Sequence, residues 1–328
     1  MGAAGTRRPH LVGEPLDLRR VVVVRKTTVI EQLDQRPDPK LEAALSAGLP
    51  VAARIRRAHV EHTQTVAHVL DVLQQHHIEV RVLDNLNRRE ADRVDLVVTV
   101  GGDGTFLRAS HCIDGGVDDN GPPMLGVNSA LSSSIGFFCA ADADDFSGIL
   151  DAVQSGAQRS RALWRMRVVV NGKPLPDLAL NDVLIAHSVP AETTRYKITV
   201  DGVTQTQKSS GIWVATAAGT TAAIRSAGGF VLPLEDRRLQ YRVRELFPVA
   251  MADEPLTGGV VEDCLELHSH MRAGVLFIDG GHRRIQLGFG DSVAFVMAAT
   301  PLPWIASPVV DARRERVAAA WDRPRSNR

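Results

Sequence analysis

Hydrophobic and polar positions divide the chain into two stretches with different periodicities. In the first half, short β-branched runs such as RVVVVR (20–25) and VDLVVTV (94–100) alternate with segments whose apolar residues recur every three or four positions, as at 54–75. Uninterrupted apolar runs are typical of strands buried in a parallel sheet, and the wider spacing is typical of amphipathic helices. The pattern predicts an open, mainly parallel α/β domain, with further strands at 78–83 and 123–127 and a helix at 144–153.

From about residue 161 the chain changes to short runs separated by turns rich in glycine and aspartate, such as VNGKP, VDGVT and DGGHR. Turns of this kind connect antiparallel strands. They predict strands at 164–171, 178–187, 196–200, 212–216, 264–268, 275–279, 284–287 and 293–297, with one helix at 220–227. We therefore expect a flexible N-terminus (1–17), an α/β nucleotide-binding domain (18–157), a β-rich domain (158–302) and a C-terminal segment (303–328) that is loose or partly helical from about residue 311.

Composition narrows the possible partners. The chain has 38 basic and 38 acidic residues, and this balance argues against nucleic acid or an anionic membrane as a general partner. No apolar run approaches the roughly 20 residues needed to cross a bilayer, and the start lacks the apolar stretch of a secretory signal. The three scattered cysteines and the histidines show no metal-ligand spacing, so we predict reduced thiols, a cytoplasmic location and no side-chain metal site.

The strongest local signal is VDLVVTVGGDGTFL (94–107), where a buried strand runs through a glycine-rich loop into a helix. Glycine lets the backbone approach a ligand closely, and the N–H groups of a helix start attract anions. The spacing matches neither GxxxxGK[ST] nor GxGxxG. We therefore predict a phosphate site formed by Gly101, Gly102, Gly104 and Thr105, with a capped tight turn as the alternative.

Asp103 is the unexpected member of this loop. A carboxylate repels a bound phosphate, so its presence needs a purpose. It could bind the Mg²⁺ that accompanies a nucleotide, or take a proton from an attacking hydroxyl. As the alternative to both roles, Asp103 and Thr105 would only cap the helix.

Motifs further along the chain select one family. GGDGT is shared by NAD kinases and by diacylglycerol and sphingosine kinases, but LNDV (180–183) resembles the Asn-Glu pair of NAD kinases. GIWVATAAGTTAAIRSAGG (211–229) resembles their strand, small-residue loop and helix, and Asp279-Gly280 resembles their late hairpin. The motifs appear in the family's order over 20–303. The chain thus resembles the NAD kinase family, and VVTVGGDGT, LGVNS, ALNDVLIAH and TAAGTTAA most resemble the branch with plant-type NADH kinases.

The resemblance implies an activity: phosphorylation of the adenosine ribose 2′-hydroxyl of NAD⁺ or NADH by ATP with Mg²⁺, with Asp103 as the general base. It also implies a C-terminal segment that returns to the first domain, and a homodimer or higher homo-oligomer. The residues expected to bind the dinucleotide are Asn128, Asn181, Asp182, Arg195, Lys208, Ser210, Thr221, Ala222, Ala223, Ser226 and Asp279. The alternative for Asn181 and Asp182 is a turn, and for Arg195 and Lys208 it is a solvated surface.

Two positions depart from the common bacterial pattern of the family. That pattern has Asp where this chain has Ser210, and Tyr where it has Ala223. The nicotinamide of NAD⁺ is positively charged, so a nearby carboxylate or aromatic ring would favour it over NADH. We therefore expect this chain to accept NADH comparably to NAD⁺, or better. A lipid kinase and a non-catalytic nucleotide-binding regulator remain the alternative functions, and the donor could be ATP or polyphosphate.

Overall fold

The computed structural model describes residues 15–114, 121–131, 135–247 and 254–322. Most of the expected flexible N-terminus, and the last six residues of the C-terminal segment, lie outside the described residues. The chain divides into two compact units. Unit 1 comprises Met1–Arg161 and Pro303–Arg313, and unit 2 comprises Ala162–Leu302 and Arg314–Arg328.

The secondary structure is numbered along the chain. The described strands are β1 Arg20–Arg25, β2 Glu79–Leu83, β3 Leu96–Gly101, β4 Met124–Asn128, β5 Cys139–Ala141, β6 Ser160–Leu163, β7 Met166–Val170, β8 Lys173–Ala179, β9 Asp182–His187, β10 Thr194–Val200, β11 Val203–Ser209, β12 Gly211–Ala215, β13 Leu239–Arg244, β14 Gly258–Val261, β15 Leu265–Ser269, β16 Gly274–Ile278, β17 Arg283–Leu287, β18 Ser292–Met297 and β19 Leu302–Ile305. The described helices are α1 Val29–Gln35, α2 Pro39–Ser46, α3 Pro50–Gln75, α4 Arg88–Ala91, α5 Asp103–Ser110, α6 Phe146–Gln154, α7 Ala223–Ser226 and α8 Pro308–Asp322.

Unit 1 is built on a sheet of order β2-β1-β3-β4-β19-β6, with β5 paired to β4. The pairings among β1, β2, β3 and β4 are parallel. The apolar runs of β1 and β3 are buried, and Val69 and Leu73 of α3 and Phe146 and Leu150 of α6 join them in one core. The predicted α/β domain with a mainly parallel sheet is confirmed.

Unit 2 contains two antiparallel sheets. The first has the order β11-β10-β15-β18-β7-β8, and the second has the order β14-β13-β12-β9-β16-β17. Side chains from both sheets share one hydrophobic core, which includes Ile198 and Phe295 of the first sheet and Ile212 and Leu276 of the second. Alternating inward positions on two facing sheets define a β-sandwich. The predicted β-rich half is confirmed.

The strand expected at 178–187 is divided in the structure. Strand β8 ends at Ala179, Leu180 and Asn181 form a bend, and β9 begins at Asp182. At the bend, the Asp279 carboxylate accepts the backbone N–H groups of Leu180, Asn181 and Asp182. A contact between residues nearly 100 positions apart leaves no trace in local periodicity.

The helix expected at 220–227 is also divided. A 3₁₀ turn at Ala218–Thr221 precedes α7, and Ala222 between them has non-helical backbone angles. The hydroxyl of Thr220 donates to the Ala217 carbonyl and accepts the Leu232 N–H, which stabilises the tight turn in place of a continuous helix.

The described part of the C-terminal segment contains most of β19, followed by α8. The division between the units falls inside this helix, after Arg313. Within the described part of the chain, no helix combines the length and apolar character needed to cross a membrane.

Candidate active site

Two glycines of the GGDGT loop meet different surroundings. A Cβ on Gly101, the last residue of β3, would lie 2.3 Å from the Oγ1 atom of Thr105, so packing inside unit 1 requires glycine there. A Cβ on Gly104 would have no atom within 4 Å, and this residue is exposed in the first turn of α5. Alanine is more stable than glycine inside helices by about 0.8–1 kcal/mol. Packing within the protein therefore does not explain Gly104.

Asp103 is the first residue of α5, and its carboxylate is half-buried. Its Oδ1 atom accepts the backbone N–H of Phe138 at 2.8 Å. Burial raises the pKa of Asp103, whereas the N–H groups of Phe138, Phe137 and Gly136 and the guanidinium of Arg313 act to lower it. The result is a carboxylate held by backbone donors, partly open to solvent, with a pKa above its ordinary value.

Arg313 of α8 supports the strand–loop segment that holds Asp103. Its Nη1 atom donates to the carbonyl of Cys139 at 2.8 Å and also to that of Gly136. These carbonyls flank the N–H groups that contact the carboxylate. Arg313 therefore fixes the backbone behind Asp103 and adds a positive charge near it.

Asn128 ends β4 directly opposite Gly101 in the parallel register. Its side chain is 2% exposed, and its Oδ1 atom accepts the Ala130 N–H at 3.1 Å. A Cβ on Gly136 would lie 2.6 Å from its Nδ2 atom. The expected dinucleotide ligand Asn128 is thus placed at the loop, but its described contacts organise the backbone of unit 1.

A buried histidine supports the same strand ends. The Nδ1 atom of His62 lies 2.8 Å from the Ser129 hydroxyl, and the Ser129 N–H donates to the Gly101 carbonyl at 3.0 Å. Burial lowers the pKa of His62 to about 4. The neutral imidazole of His62 on α3 thus stabilises the segment after β4, which lies next to the GGDGT loop.

In unit 2, Asp279 organises the bend that carries Asn181 and Asp182. Its carboxylate accepts the N–H groups of Leu180 (2.8 Å), Asn181 (2.7 Å) and Asp182 (3.0 Å). Asp279 is 5% exposed and has a φ of +48°, a conformation that aspartate tolerates better than most residues. The predicted ligand Asp279 is therefore occupied by backbone donors, which place its two neighbours.

Asp182 begins β9 as a second buried carboxylate beside the first. It is 6% exposed, and burial together with the charge of Asp279 raises its pKa to about 8. Asp182 therefore tends to hold a proton near neutral pH. A protonated carboxyl offers a polar ligand one O–H donor and one carbonyl oxygen as an acceptor.

The small-residue loop at 216–222 packs tightly on this bend. A Cβ on Gly219 would lie 2.0 Å from the Asn181 carbonyl oxygen, and the Thr216 N–H donates to the same oxygen at 3.0 Å. The buried Arg314 guanidinium donates to two loop carbonyls, those of Ala217 (3.0 Å) and Ala218 (3.2 Å), and to the Leu232 carbonyl beyond the loop (2.9 Å). Arg314 therefore fixes the loop that leads to the expected ligands Thr221 and Ala222.

An open cavity of roughly 630 Å³ lies at the other end of this segment. Its lining includes the expected ligands Ala223 and Ser226, together with Trp213, Arg242 and Arg244. This size falls within the range of ordinary small-molecule sites. The cavity joins two positions selected from the sequence to an aromatic ring and two cations that the sequence did not indicate.

Three other expected ligands lie elsewhere in unit 2. Arg195 and Lys208 face each other across β10 and β11, and both are exposed. Ser210 connects β11 to β12, and its N–H and carbonyl form hydrogen bonds with the backbone and side chain of Arg244. Arg195 and Lys208 are therefore not among the cavity-lining residues, and Ser210 adjoins that lining through Arg244.

Several supporting residues escaped the sequence interpretation. Arg242 and Arg244 alternate with buried Tyr241 and Val243 in LQYRVR, a period-two pattern that could have identified β13. Arg313 and Arg314 lie in a segment with little apolar periodicity. Among the described residues, no group of three or more His, Cys, Asp and Glu side chains is positioned to hold a metal ion.

Fold and site residues together define a class of protein. An α/β unit carries a glycine-rich loop with a carboxylate at a helix start, and a β-sandwich unit carries a carboxylate-bearing bend, a tight loop and a cavity. These are the features of a two-domain nucleotide-binding protein with a potential acid–base group.

Comparison with known proteins identifies the family. Residues 23–157 match the family model described as the ATP-NAD kinase N-terminal domain. The chain is 36% identical over 256 residues to a probable NADH kinase of Oryza sativa subsp. japonica, covering 71% of this chain and 77% of the relative. It is 32% identical over 223 residues to an NADH kinase of Arabidopsis thaliana, covering 61% and 69% respectively. The chain therefore belongs to the NAD kinase family.

Solved structures support the same fold. An NAD kinase from Archaeoglobus fulgidus in complex with ATP superposes with a TM-score of 0.65 at 19% identity, covering 92% of this chain and 99% of that one. Yeast NADH kinase complexed with NADH superposes with a TM-score of 0.70 at 15% identity, covering 95% and 89%. The two-unit architecture is thus that of solved NAD kinases.

Proposed function

We propose that this chain transfers the terminal phosphoryl group of ATP to the adenosine ribose 2′-hydroxyl of NAD⁺ or NADH, giving NADP⁺ or NADPH. The observation that carries the proposal is the Asp103 carboxylate, which is held at a helix start beside a glycine that packing does not require. Family membership supplies the reaction class, and this carboxylate supplies the chemical step.

The donor half of the reaction belongs to unit 1. The N-terminal turn of α5 offers backbone N–H groups and a positive dipole end to the triphosphate. Open space at Gly104 lets a phosphate approach the backbone more closely than a side chain would permit. Gly101, Gly102 and Thr105 shape the turn. Mg²⁺ would enter with the triphosphate, whose oxygens and water supply most of its ligands, and would neutralise phosphate charge.

Asp103 acts as the general base. Its pKa is raised by burial, so it is a stronger base than an exposed aspartate, yet it is partly accessible. The proton of the 2′-hydroxyl moves to this carboxylate as the ribose oxygen bonds to the γ-phosphorus. The bond from that phosphorus to the bridging oxygen breaks, and ADP leaves. Base help of this kind contributes roughly 10²–10⁴-fold in rate.

The acceptor half belongs to unit 2. Asn181 and Asp182 stand on a bend that Asp279 and the loop at 216–222 fix from both sides. A protonated Asp182 can donate one hydrogen bond to a ribose hydroxyl and accept one from another, and the adjacent Asn181 amide can form hydrogen bonds with the edge of a base. Thr221, Ala222, Ala223 and Ser226 would line the same dinucleotide site.

The alternative functions lose their support. Diacylglycerol and sphingosine kinases share the GGDGT loop, but the relatives found along most of the chain are NAD and NADH kinases. A non-catalytic regulator would not need Asp103 with backbone donors around it. A homo-oligomeric state and a cytoplasmic location remain predictions, which light scattering and cell fractionation would test.

Product identification tests the proposed function. Purified protein would be incubated with Mg²⁺ and either ATP or polyphosphate, and with NAD⁺ or NADH, before mass spectrometry. We expect a mass gain of one phosphate on the dinucleotide, placed at the adenosine 2′-position and dependent on Mg²⁺. Phosphorylation of a lipid acceptor, or no dinucleotide product with either donor, would overturn the proposal.

A further inference from the structure

The cavity of unit 2 carries a charge arrangement that bears on the redox form of the substrate. Trp213 of β12 and Arg242 and Arg244 of β13 lie on the same side of the sheet, because their neighbours Ile212, Val214, Tyr241 and Val243 face the core. Strand register places Trp213 directly opposite Arg242. The cavity wall therefore combines one indole ring with two guanidinium groups.

Each of the two cations has a hydrogen-bond acceptor among the described residues. The Nε atom of Arg242 donates to the Ala227 carbonyl at 3.1 Å, and a Cβ on Gly258 would lie 2.7 Å from its Cδ atom. The Nη1 atom of Arg244 donates to the Ser210 carbonyl at 3.4 Å. Both described acceptors are neutral carbonyls, so these contacts orient the charges without cancelling them.

Negative charge at the cavity wall is weaker. Glu245 lies 3.9 Å from the Nε atom of Arg244, but its side chain is 69% exposed, whereas that of Arg244 is 34% exposed. Solvent screens exposed pairs of this kind. Among the described lining residues the balance is therefore two cations against one solvated carboxylate.

We propose that Arg242 and Arg244 make this cavity selective for the uncharged nicotinamide of NADH over the cationic nicotinamide of NAD⁺. The inference rests on the proposed function, since it assumes that the nicotinamide end of the acceptor enters beside Ala223 and Ser226. Ser210 has no carboxylate that would favour NAD⁺, and its backbone carbonyl accepts the Arg244 side chain. Selectivity thus arises from added positive charge as well as from a missing negative one.

The magnitudes favour selection against NAD⁺. For a guanidinium assumed to lie about 7 Å from the ring, the Coulomb energy at an effective dielectric between those of a protein surface and water corresponds to about a three- to tenfold change in preference. Trp213 acts in the opposite direction, because a cation on an indole face is favoured by about two- to fivefold at a partly exposed site. Two guanidiniums outweigh one indole.

The test measures kcat/KM for NADH and NAD⁺ in matched variants. Arg242→Gln and Arg244→Gln should each lower the NADH/NAD⁺ ratio by about three- to tenfold, mainly by improving NAD⁺. Arg244→Lys should retain the ratio, and Trp213→Leu should raise it. Arg283→Gln, which removes a cation of unit 2 that pairs with Asp177 outside the cavity, should leave the ratio unchanged.

Two outcomes would overturn the proposal. An equal loss for both substrates in the glutamine variants would mean that the arginines bind a phosphate common to them. An unchanged ratio would mean that the charged ring lies elsewhere. If the wild-type protein phosphorylates neither dinucleotide, the proposed function fails separately, and calorimetric Kd values for NADH and NAD⁺ in the same variants still decide the charge selection.

Discussion

Gly104→Ala separates the stability of the GGDGT loop from its function. The added methyl group meets no atom of the described residues within 4 Å, and alanine is favoured in a helix. We therefore expect the variant to fold and to gain about 0.5–1 kcal/mol in the free energy of unfolding. The methyl group occupies the space from which a phosphate would approach the backbone. Loss of one charged hydrogen bond, about 1.5–3 kcal/mol, predicts a KM for ATP about 10- to 100-fold higher.

Gly148→Ala in α6 is the matched control. Gly148 also lies in the first turn of a helix in unit 1, is exposed, and would place a Cβ with no atom within 4 Å. Urea denaturation should show a similar gain in stability for both variants, while steady-state kinetics should show a defect only in Gly104→Ala. Unchanged ATP kinetics in Gly104→Ala would refute a phosphate contact at this loop.

The remaining predictions concern unit 2. Asp182 has a pKa of about 8 in the folded state, compared with an ordinary value of 3.8. The folded state therefore binds the carboxyl proton more tightly than the unfolded state does. The free energy of unfolding should fall as the pH rises from about 4 to about 8. In urea denaturation, Asp182→Asn should lose this dependence of the unfolding free energy on pH, and an unchanged dependence would contradict the raised pKa. Calorimetry should show weaker dinucleotide binding by the variant. Asp279→Ala leaves two buried N–H groups and one partly buried N–H group without their acceptor, so chemical denaturation should show a loss of about 2–5 kcal/mol. A loss below about 0.5 kcal/mol would contradict its structural role. Arg314→Ala should raise the KM for the dinucleotide more than the KM for ATP, because two of its three hydrogen bonds go to carbonyls of the loop at 216–222, which leads to the expected ligands Thr221 and Ala222. Equal changes in both KM values would indicate a general structural defect.

The local pattern of apolar residues and turns was sufficient to predict the main strands and the two-part organisation of the fold. The apolar run of β1 is buried at its four valines, and all six residues of β3 are buried, as expected for a sheet covered on both faces. The turns of glycine and aspartate correctly indicated antiparallel pairing in unit 2. Both signals work because strand burial and hairpin turns depend on residues close together in sequence.

Features that depend on distant contacts could not be predicted in this way. The bend at Leu180 and Asn181 requires Asp279, and the turn at Ala218–Thr221 is stabilised by Leu232. The cavity cations are supplied by a strand that the sequence interpretation did not identify. The roles assigned to individual ligands, Asn128 and Asp279 among them, rest on resemblance and stay predictions until ligands are bound.

The most direct test of the central claim is the comparison of Asp103→Asn with the wild-type protein. Asparagine keeps the size and oxygen of the side chain but is a far weaker base, so ATP and dinucleotide binding should persist in calorimetry. The rate of NADP(H) formation should fall by about 10²–10⁴-fold. A variant that binds both substrates and turns over at the wild-type rate would contradict the assignment of Asp103 as the base.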